Sequence, residues 1–262
     1  MNKSARTFFL LLTVACGGAS PPAASVSAAV RTSSGDVSPA ARAIVDAPDR
    51  TEADRAFDAE RHPAELLDFL AIVPGMHVGE LLAGAGYTAE LLARAVTPGG
   101  TVYAENPKAI LESGDSEKAW TARLARPAMK TVIRVDRELD APFGPEATEL
   151  DIVVINLVYH DTVGLGVDRD KMNRAVFAAL KKGGRYAIID HGALPGRGLA
   201  DVQTLHRIDE KTVRDEVEHA GFRLSNKDSF LRNPSDSRDW NDAPGSGARA
   251  QSDRFALMFV KP

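Results

Sequence analysis

Val78-Gly79-Glu80-Leu81-Leu82-Ala83-Gly84-Ala85-Gly86-Tyr87-Thr88-Ala89-Glu90 reads as a buried strand, a tight glycine turn and the first turn of a helix. Gly84 and Gly86 carry no Cβ, so the chain can turn sharply there and approach a ligand closely. A helix beginning near Tyr87 aims its unpaired N–H groups, and the positive end of its dipole, at whatever occupies the turn. Glu80 places a charge at the strand's end, where a purely structural strand would carry Val or Ile. The stretch therefore reads as a site for a nucleotide or nucleoside cofactor.

Strands and helices alternate outward from it. Arg50 to Leu70 reads as two helices, the second opened by Pro63. After Val78–Leu82, further strands are expected at Thr101–Ala104, Thr131–Val135, Asp151–Leu157, Arg185–Asp190, Phe222–Ser225 and Phe255–Val260. Helices are expected at Thr88–Val96, Ser116–Ala125, Asp170–Leu180 and Glu210–Ala220. Asp151 to Leu157 is almost wholly apolar, as a strand covered on both faces would be. Short turns between alternating elements predict an α/β fold, a Rossmann-like sheet with helices on both faces. Ligands in such sheets bind beyond the carboxyl ends of the strands.

Polar residues gather at those ends. Glu105 and Asn106 close the second strand, about twenty residues beyond the glycines, where an acid can accept hydrogen bonds from ribose hydroxyls. Asn156 closes the fourth, followed by Tyr159-His160-Asp161, and Asp190-His191 close the fifth.

With these residues the chain resembles the class I methyltransferases that use S-adenosylmethionine. The likeness rests on the Glu80 to Gly86 turn, Glu105, Lys182-Gly183-Gly184 before the fifth strand, and the closing pair of strands. It is nearer to a group of predicted bacterial methyltransferases, through Asp58-Ala59-Glu60-Arg61-His62-Pro63, Gly86-Tyr87-Thr88, Tyr159-His160-Asp161, Asp190-His191, His206-Arg207-Ile208-Asp209 and Asp253-Arg254-Phe255. The resemblance spans residues 50 to 262. It implies a seven-stranded, mostly parallel sheet whose last strand is antiparallel, and S-adenosylmethionine as cofactor. Glu80, Gly84, Gly86, Tyr87, Glu105, Asn106, Asp136 and Asn156 are the cofactor residues it implies. His160 and His191 have the unperturbed pKa of a general base, and the resemblance puts His160 on the acceptor side. Arg61, Tyr159 and Arg207 would bind an anionic or aromatic acceptor, a small molecule. Leu82 stands where the family's first turn glycine belongs, and its side chain is expected to crowd the methionine end of the cofactor.

Composition bounds the alternatives. The 262 residues carry a net charge of −4, so no basic footprint points to nucleic acid. Lys3 and Arg6 precede an apolar run from Phe8 to Ala15, too short to span a bilayer, and Leu12 to Cys16 resembles a bacterial lipobox. Residues 1–16 are thus expected to be a lipoprotein-type signal, 17–39 a flexible tether of Ala, Ser, Pro and Gly, and 40–262 a single domain. The expected location is periplasmic, with membrane contact only through a lipidated Cys16. That is the one cysteine in the chain, which excludes disulfides. His160, His191 and His206 have none of the compact spacings of zinc motifs, so no metal is expected. No Gly-x-Ser-x-Gly turn suggests a serine hydrolase. Two alternatives stay open: a non-catalytic ligand-binding lipoprotein on the same fold, and an NAD(P)-dependent oxidoreductase, whose fingerprint Gly84-x-Gly86-x-x-Ala89 also fits.

Overall fold

A computed structural model describes residues 29–31, 37–244 and 246–262. The expected signal sequence with Cys16, and most of the expected tether, lie outside the described residues.

One eight-stranded sheet organises the chain: β1 (Ala29–Arg31), β2 (His77–Leu81), β3 (Thr101–Glu105), β4 (Val132–Val135), β5 (Leu150–Asn156), β6 (Leu180–His191), β7 (Arg223–Asp228) and β8 (Arg254–Val260). The order is β1-β7-β8-β6-β5-β2-β3-β4. Only β8 runs antiparallel, to both β6 and β7. All seven strands expected from the sequence are present, and the last is the antiparallel one. The eighth, β1, comes from within residues 17–39 and pairs in parallel with Asn226–Asp228 at the sheet's edge.

The helices are α1 (Pro39–Val45), α2 (Glu52–Arg55), α3 (Asp58–Arg61), α4 (Pro63–Leu70), α5 (Tyr87–Val96), α6 (Lys108–Leu111), α7 (Ser116–Leu124), α8 (Asp161–Gly164), α9 (Arg169–Ala179), α10 (Val202–Leu205) and α11 (Glu210–His219). Successive β5 residues serve opposite layers. Ile152 and Val154 pack with Leu92, Ala93 and Val96 of α5. Val153 and Ile155 pack with Met172 and Val176 of α9 and with Val213 and Val217 of α11. This period-2 alternation with both faces apolar is why Asp151–Leu157 reads as a nearly continuous apolar run. Helix α5 is itself covered twice: Tyr87, Leu91 and Ala95 turn away from the sheet toward Ala41 of α1 and Leu67 of α4.

From β2 the chain steps outward to β3 and β4, then returns to the other side of β2 as β5. The carboxyl ends of β2 and β5 therefore flank the point where strand order reverses, which leaves a crevice there.

Candidate functional site

Gly84 and Gly86 both adopt left-handed backbone, with φ of 57° and 81°. At Gly86 a Cβ would lie 2.3 Å from the Trp120 ring, so the side chain is excluded twice over. Nothing lies within 4 Å of a Cβ at Gly84, the open side of the turn. Asn106 staples the turn from behind: Gly84 N donates to its Oδ1 at 2.7 Å, and its Nδ2 donates to Gly84 O at 3.0 Å. Leu82 is also left-handed, at φ 54°. That conformation costs a leucine about 1–2 kcal/mol, which explains why a glycine suits this position, and the Leu82 side chain lies on the cavity wall.

The turn opens into a cavity of about 290 Å³ over the β2–β5 crevice. Its wall includes Glu80, Tyr87, Asn156 and His160, together with Arg61 and Arg123. Glu80 is 2 % exposed, and its Oε2 has no hydrogen-bond partner among the described residues. Burial pushes its pKa up to about 8, against the pull of Arg61 and Arg123. Arg61 lies 5.0 Å over the Tyr87 ring and 5.4 Å over the Phe57 ring, and its buried Nε has no acceptor among the described residues. Tyr87 donates to Asp58 at 2.7 Å, and Asp58 is gripped through both oxygens by Arg50. Asn156 donates to Thr88 Oγ1 at 3.2 Å.

Arg123 clasps the turn from outside. Its Nε donates to Ala85 O at 2.6 Å, while its other nitrogens pair with Asp54 at 2.5 Å and Glu90 at 2.7 Å. Arg126 joins both carboxylates at 2.9 Å. Burial opposes the charge on Asp54, but the guanidinium hydrogen bonds, Arg123's foremost, win and hold its pKa well below the usual carboxylate range.

His160 lies on the cavity wall, in the turn after β5. Its Nδ1 is 2.8 Å from Asp190 Oδ1, and its backbone N–H donates to Asp190 Oδ2 at 2.7 Å. With Nδ1 held by the carboxylate, Nε2 is left at the cavity. Burial works against protonation of His160, but Asp190 outweighs it and raises the pKa. His191 is different. Its Nε2 accepts from Arg249 at 2.8 Å and its Nδ1 lies against Asp242, so both nitrogens are occupied. Burial lowers its pKa to about 4. It is not on the cavity wall, a correction to the expectation that it would stand in the cleft with His160.

Four other expected site residues are placed elsewhere. Glu105 is fully buried beneath the turn, where Oε2 accepts from Leu82 N at 3.1 Å and Oε1 has no partner among the described residues. Burial raises its pKa well above the usual value. It braces the turn rather than lining the cavity. Asp136 is exposed and paired with Arg134 at 2.7 Å. Tyr159 is buried under α9, donating to Glu216 and accepting from Asn173. Arg207 is wholly buried against Asp236 at 2.8 Å, with Trp240 stacked 4.5 Å from it. Tyr159 and Arg207 are consumed by partners far away in the chain, which sequence spacing does not reveal.

Two further wall residues, Pro244 and Arg249, come from the loop between β7 and β8. The loop's Asp, Asn, Gly, Pro and Ser content marks it as irregular, but no local signal identifies Arg249 as a cavity residue.

The arrangement suits a zwitterion beside a nucleoside. Among the described residues the Glu80 oxygen is unpartnered and can accept from an ammonium, and Arg61 Nε has no acceptor, so its guanidinium can hold a carboxylate. The Leu82 side chain stands on the wall beside these groups.

No family model matches this chain, and no curated protein does. Solved structures do match its fold. A SAM-dependent methyltransferase from Aquifex aeolicus superposes with a TM-score of 0.57 at 17 % identity, over 80 % of this chain and 96 % of that one. An arsenic(III) S-adenosylmethionine methyltransferase from Chlamydomonas reinhardtii gives 0.55 at 15 % identity, over 85 % and 73 %. An S-adenosylmethionine-dependent methyltransferase from Mesorhizobium loti gives 0.51 at 15 % identity, over 75 % and 95 %. The chain shares the Rossmann-like fold of these enzymes.

Proposed function

We propose that this chain binds S-adenosylmethionine in the cavity at the β2–β5 crevice and transfers its methyl group to a small acceptor. The observation that carries this reading is the pair of buried polar side chains on the cavity wall with atoms unpartnered among the described residues, Glu80 and Arg61, which become opposite charges once Glu80 gives up its proton. They complement an amino-acid zwitterion, which a nicotinamide dinucleotide lacks. A bound sulfonium supplies a methyl carbon already activated by positive charge, so the protein's task is to align the acceptor and exclude water. Pro244 and Arg249 help enclose the cavity. His160 presents Nε2 on the cavity wall, beside the place an acceptor would take.

Calorimetry of the full chain with S-adenosylmethionine, S-adenosylhomocysteine and NAD tests the reading. Heat with the first two and none with NAD is expected. Heat only with NAD overturns it.

Two predictions follow from the turn itself. Leu82→Gly relieves the left-handed leucine, about 1–2 kcal/mol, but gives up its burial, about 1.5–3 kcal/mol. Folding stability should therefore change by less than about 2 kcal/mol, while affinity for S-adenosylhomocysteine rises. Unchanged or weaker affinity in calorimetry would clear Leu82 of obstructing the site, and binding without turnover in the natural chain would favour the non-catalytic binder.

Glu80 governs the pH dependence. Its folded pKa of about 8 lies above that of an exposed glutamate, so the folded chain holds a proton that the unfolded chain has lost. Its contribution to stability is full at acid pH and falls as pH rises from about 4.5 through 8. A bound ammonium favours the carboxylate, so S-adenosylhomocysteine binding at pH 7 should release up to one proton. Titration in two buffers of different ionisation enthalpy measures this release, and Glu80→Gln should abolish it.

We also infer export and lipidation at Cys16, supported by Lys3, Arg6, the Phe8–Ala15 run and the Leu12–Cys16 match. Palmitate labelling that disappears in Cys16→Ser is the expected result. Equal labelling of both forms sinks the inference.

A further inference from the structure

His160 does not offer its Nε2 alone. Asp161 Oδ1 lies 3.3 Å from that nitrogen, and 3.9 Å from His206 Nδ1 on the other side. One ligating atom from each of the three residues fits within 4.8 Å of the others. Asp161 opens α8 and His206 ends α10, two short helices that pack on each other. The two histidines are 46 residues apart in the chain, and only this packing joins them.

The spacing approaches that of ligands around a metal. At metal–ligand lengths of about 2.0–2.1 Å, tetrahedral neighbours sit about 3.3–3.4 Å apart. The His160–Asp161 separation already has this value, and the Asp161–His206 separation exceeds it by about half an ångström, a change within one rotamer's reach. The Asp161 carboxylate makes no hydrogen bond among the described residues, so nothing else claims it. The His160 ring is oriented by Asp190 at Nδ1, the carboxylate–histidine arrangement that fixes the tautomer of a metal-binding imidazole. Asp161 and Asp190 together carry more negative charge than Arg249, the nearby cation on the wall, carries positive. The two imidazoles and one carboxylate form a donor set for a borderline transition metal rather than for calcium or magnesium, which take oxygen ligands.

We propose that His160, Asp161 and His206 bind a divalent cation of the zinc class, with an open coordination position toward the cavity. His160 and Asp161 both line the cavity, so that position faces the place where an acceptor would lie. A thiol or hydroxyl of the acceptor would complete the coordination, and the cation would favour its ionised form. The cation site stands on these three side chains alone; only the identity of the fourth ligand rests on the methyl-transfer reading.

Cobalt(II) titration of the metal-stripped full chain tests the proposal. A visible absorption band of a four- or five-coordinate site is expected, saturating at one equivalent and displaced by zinc. His206→Ala and Asp161→Asn, each confirmed as folded by circular dichroism, should each weaken cobalt binding by about 100-fold or more. His219→Ala, on an exposed face away from the cluster, should bind as the natural chain does. No band, or a band that survives both ligand substitutions, overturns the proposal. S-adenosylhomocysteine calorimetry on the same preparations keeps the two readings apart. Cobalt binding without cofactor binding retains the metal site and sinks methyl transfer, and the reverse result sinks the metal site alone.

Discussion

Arg61→Ala is expected to weaken S-adenosylhomocysteine binding by about 30- to 150-fold, the loss of one charge-assisted hydrogen bond of about 2–3 kcal/mol. Arg61 lies on the cavity wall, stacked over Tyr87 and Phe57, with its Nε unpartnered. A guanidinium held this way is oriented before any ligand arrives, so little ordering entropy opposes its use. Arg61→Lys keeps the charge but loses the planar stack, and should recover only part of the affinity. Arg61→Ala also removes the main opposite charge acting on buried Glu80. Glu80 should then hold its proton more tightly in the free chain, and proton release on binding at pH 7 should move closer to one. Calorimetry reads both effects in one experiment. An affinity within threefold of the natural chain would remove Arg61 from the site, whatever happened to stability.

Arg207→Ala should lower the unfolding free energy by about 3–5 kcal/mol, the range seen when one member of a buried ion pair is removed. Arg207 was expected to touch the acceptor, but it latches the β7–β8 loop instead. It donates to Asp236 at 2.8 Å and to Gly192 O at 3.2 Å, beneath the Trp240 ring. Asp236 in turn accepts from Trp240 Nε1 at 2.8 Å, Arg238 N at 2.9 Å and Asp253 N at 2.6 Å. Without the guanidinium, a buried carboxylate keeps its neutral donors but loses its counter-charge. The same loop carries Pro244 and Arg249 to the cavity, so loosening it should also blunt ligand binding. Denaturant unfolding measures the stability loss, and limited proteolysis should show new cleavage between Asn233 and Ser252. A loss under about 1 kcal/mol, with no new cleavage, would mean that Arg207 is not the latch.

These two arginines mark where sequence reading succeeds and where it stops. Arg61 and Arg207 both stand in motifs that carry the family resemblance, and nothing local separates them. One lacks an acceptor and faces a cavity; the other has all its partners under a loop. The same contrast divides His160 from His191. Both follow strand ends, but the His191 nitrogens are taken by Asp242 and by Arg249, 58 residues away. Glu105 sits where a ribose-binding acid belongs, yet it turns beneath the backbone to accept from Leu82 N.

The sequence by itself determined the seven strands, the glycine turn and the end of the sheet at which polar residues collect, while the antiparallel last strand came from the family resemblance. Period-2 apolar runs, turn glycines and helix starts are local, and each residue's own neighbours dictate them. Only the tertiary structure decided which polar residues are free. Whether a buried group has a partner depends on chain segments brought from far away, and an unpartnered group is what a ligand can use. The free Glu80 and Arg61, the left-handed Leu82, the arrival of Arg249 and the meeting of His160, Asp161 and His206 are all of that kind.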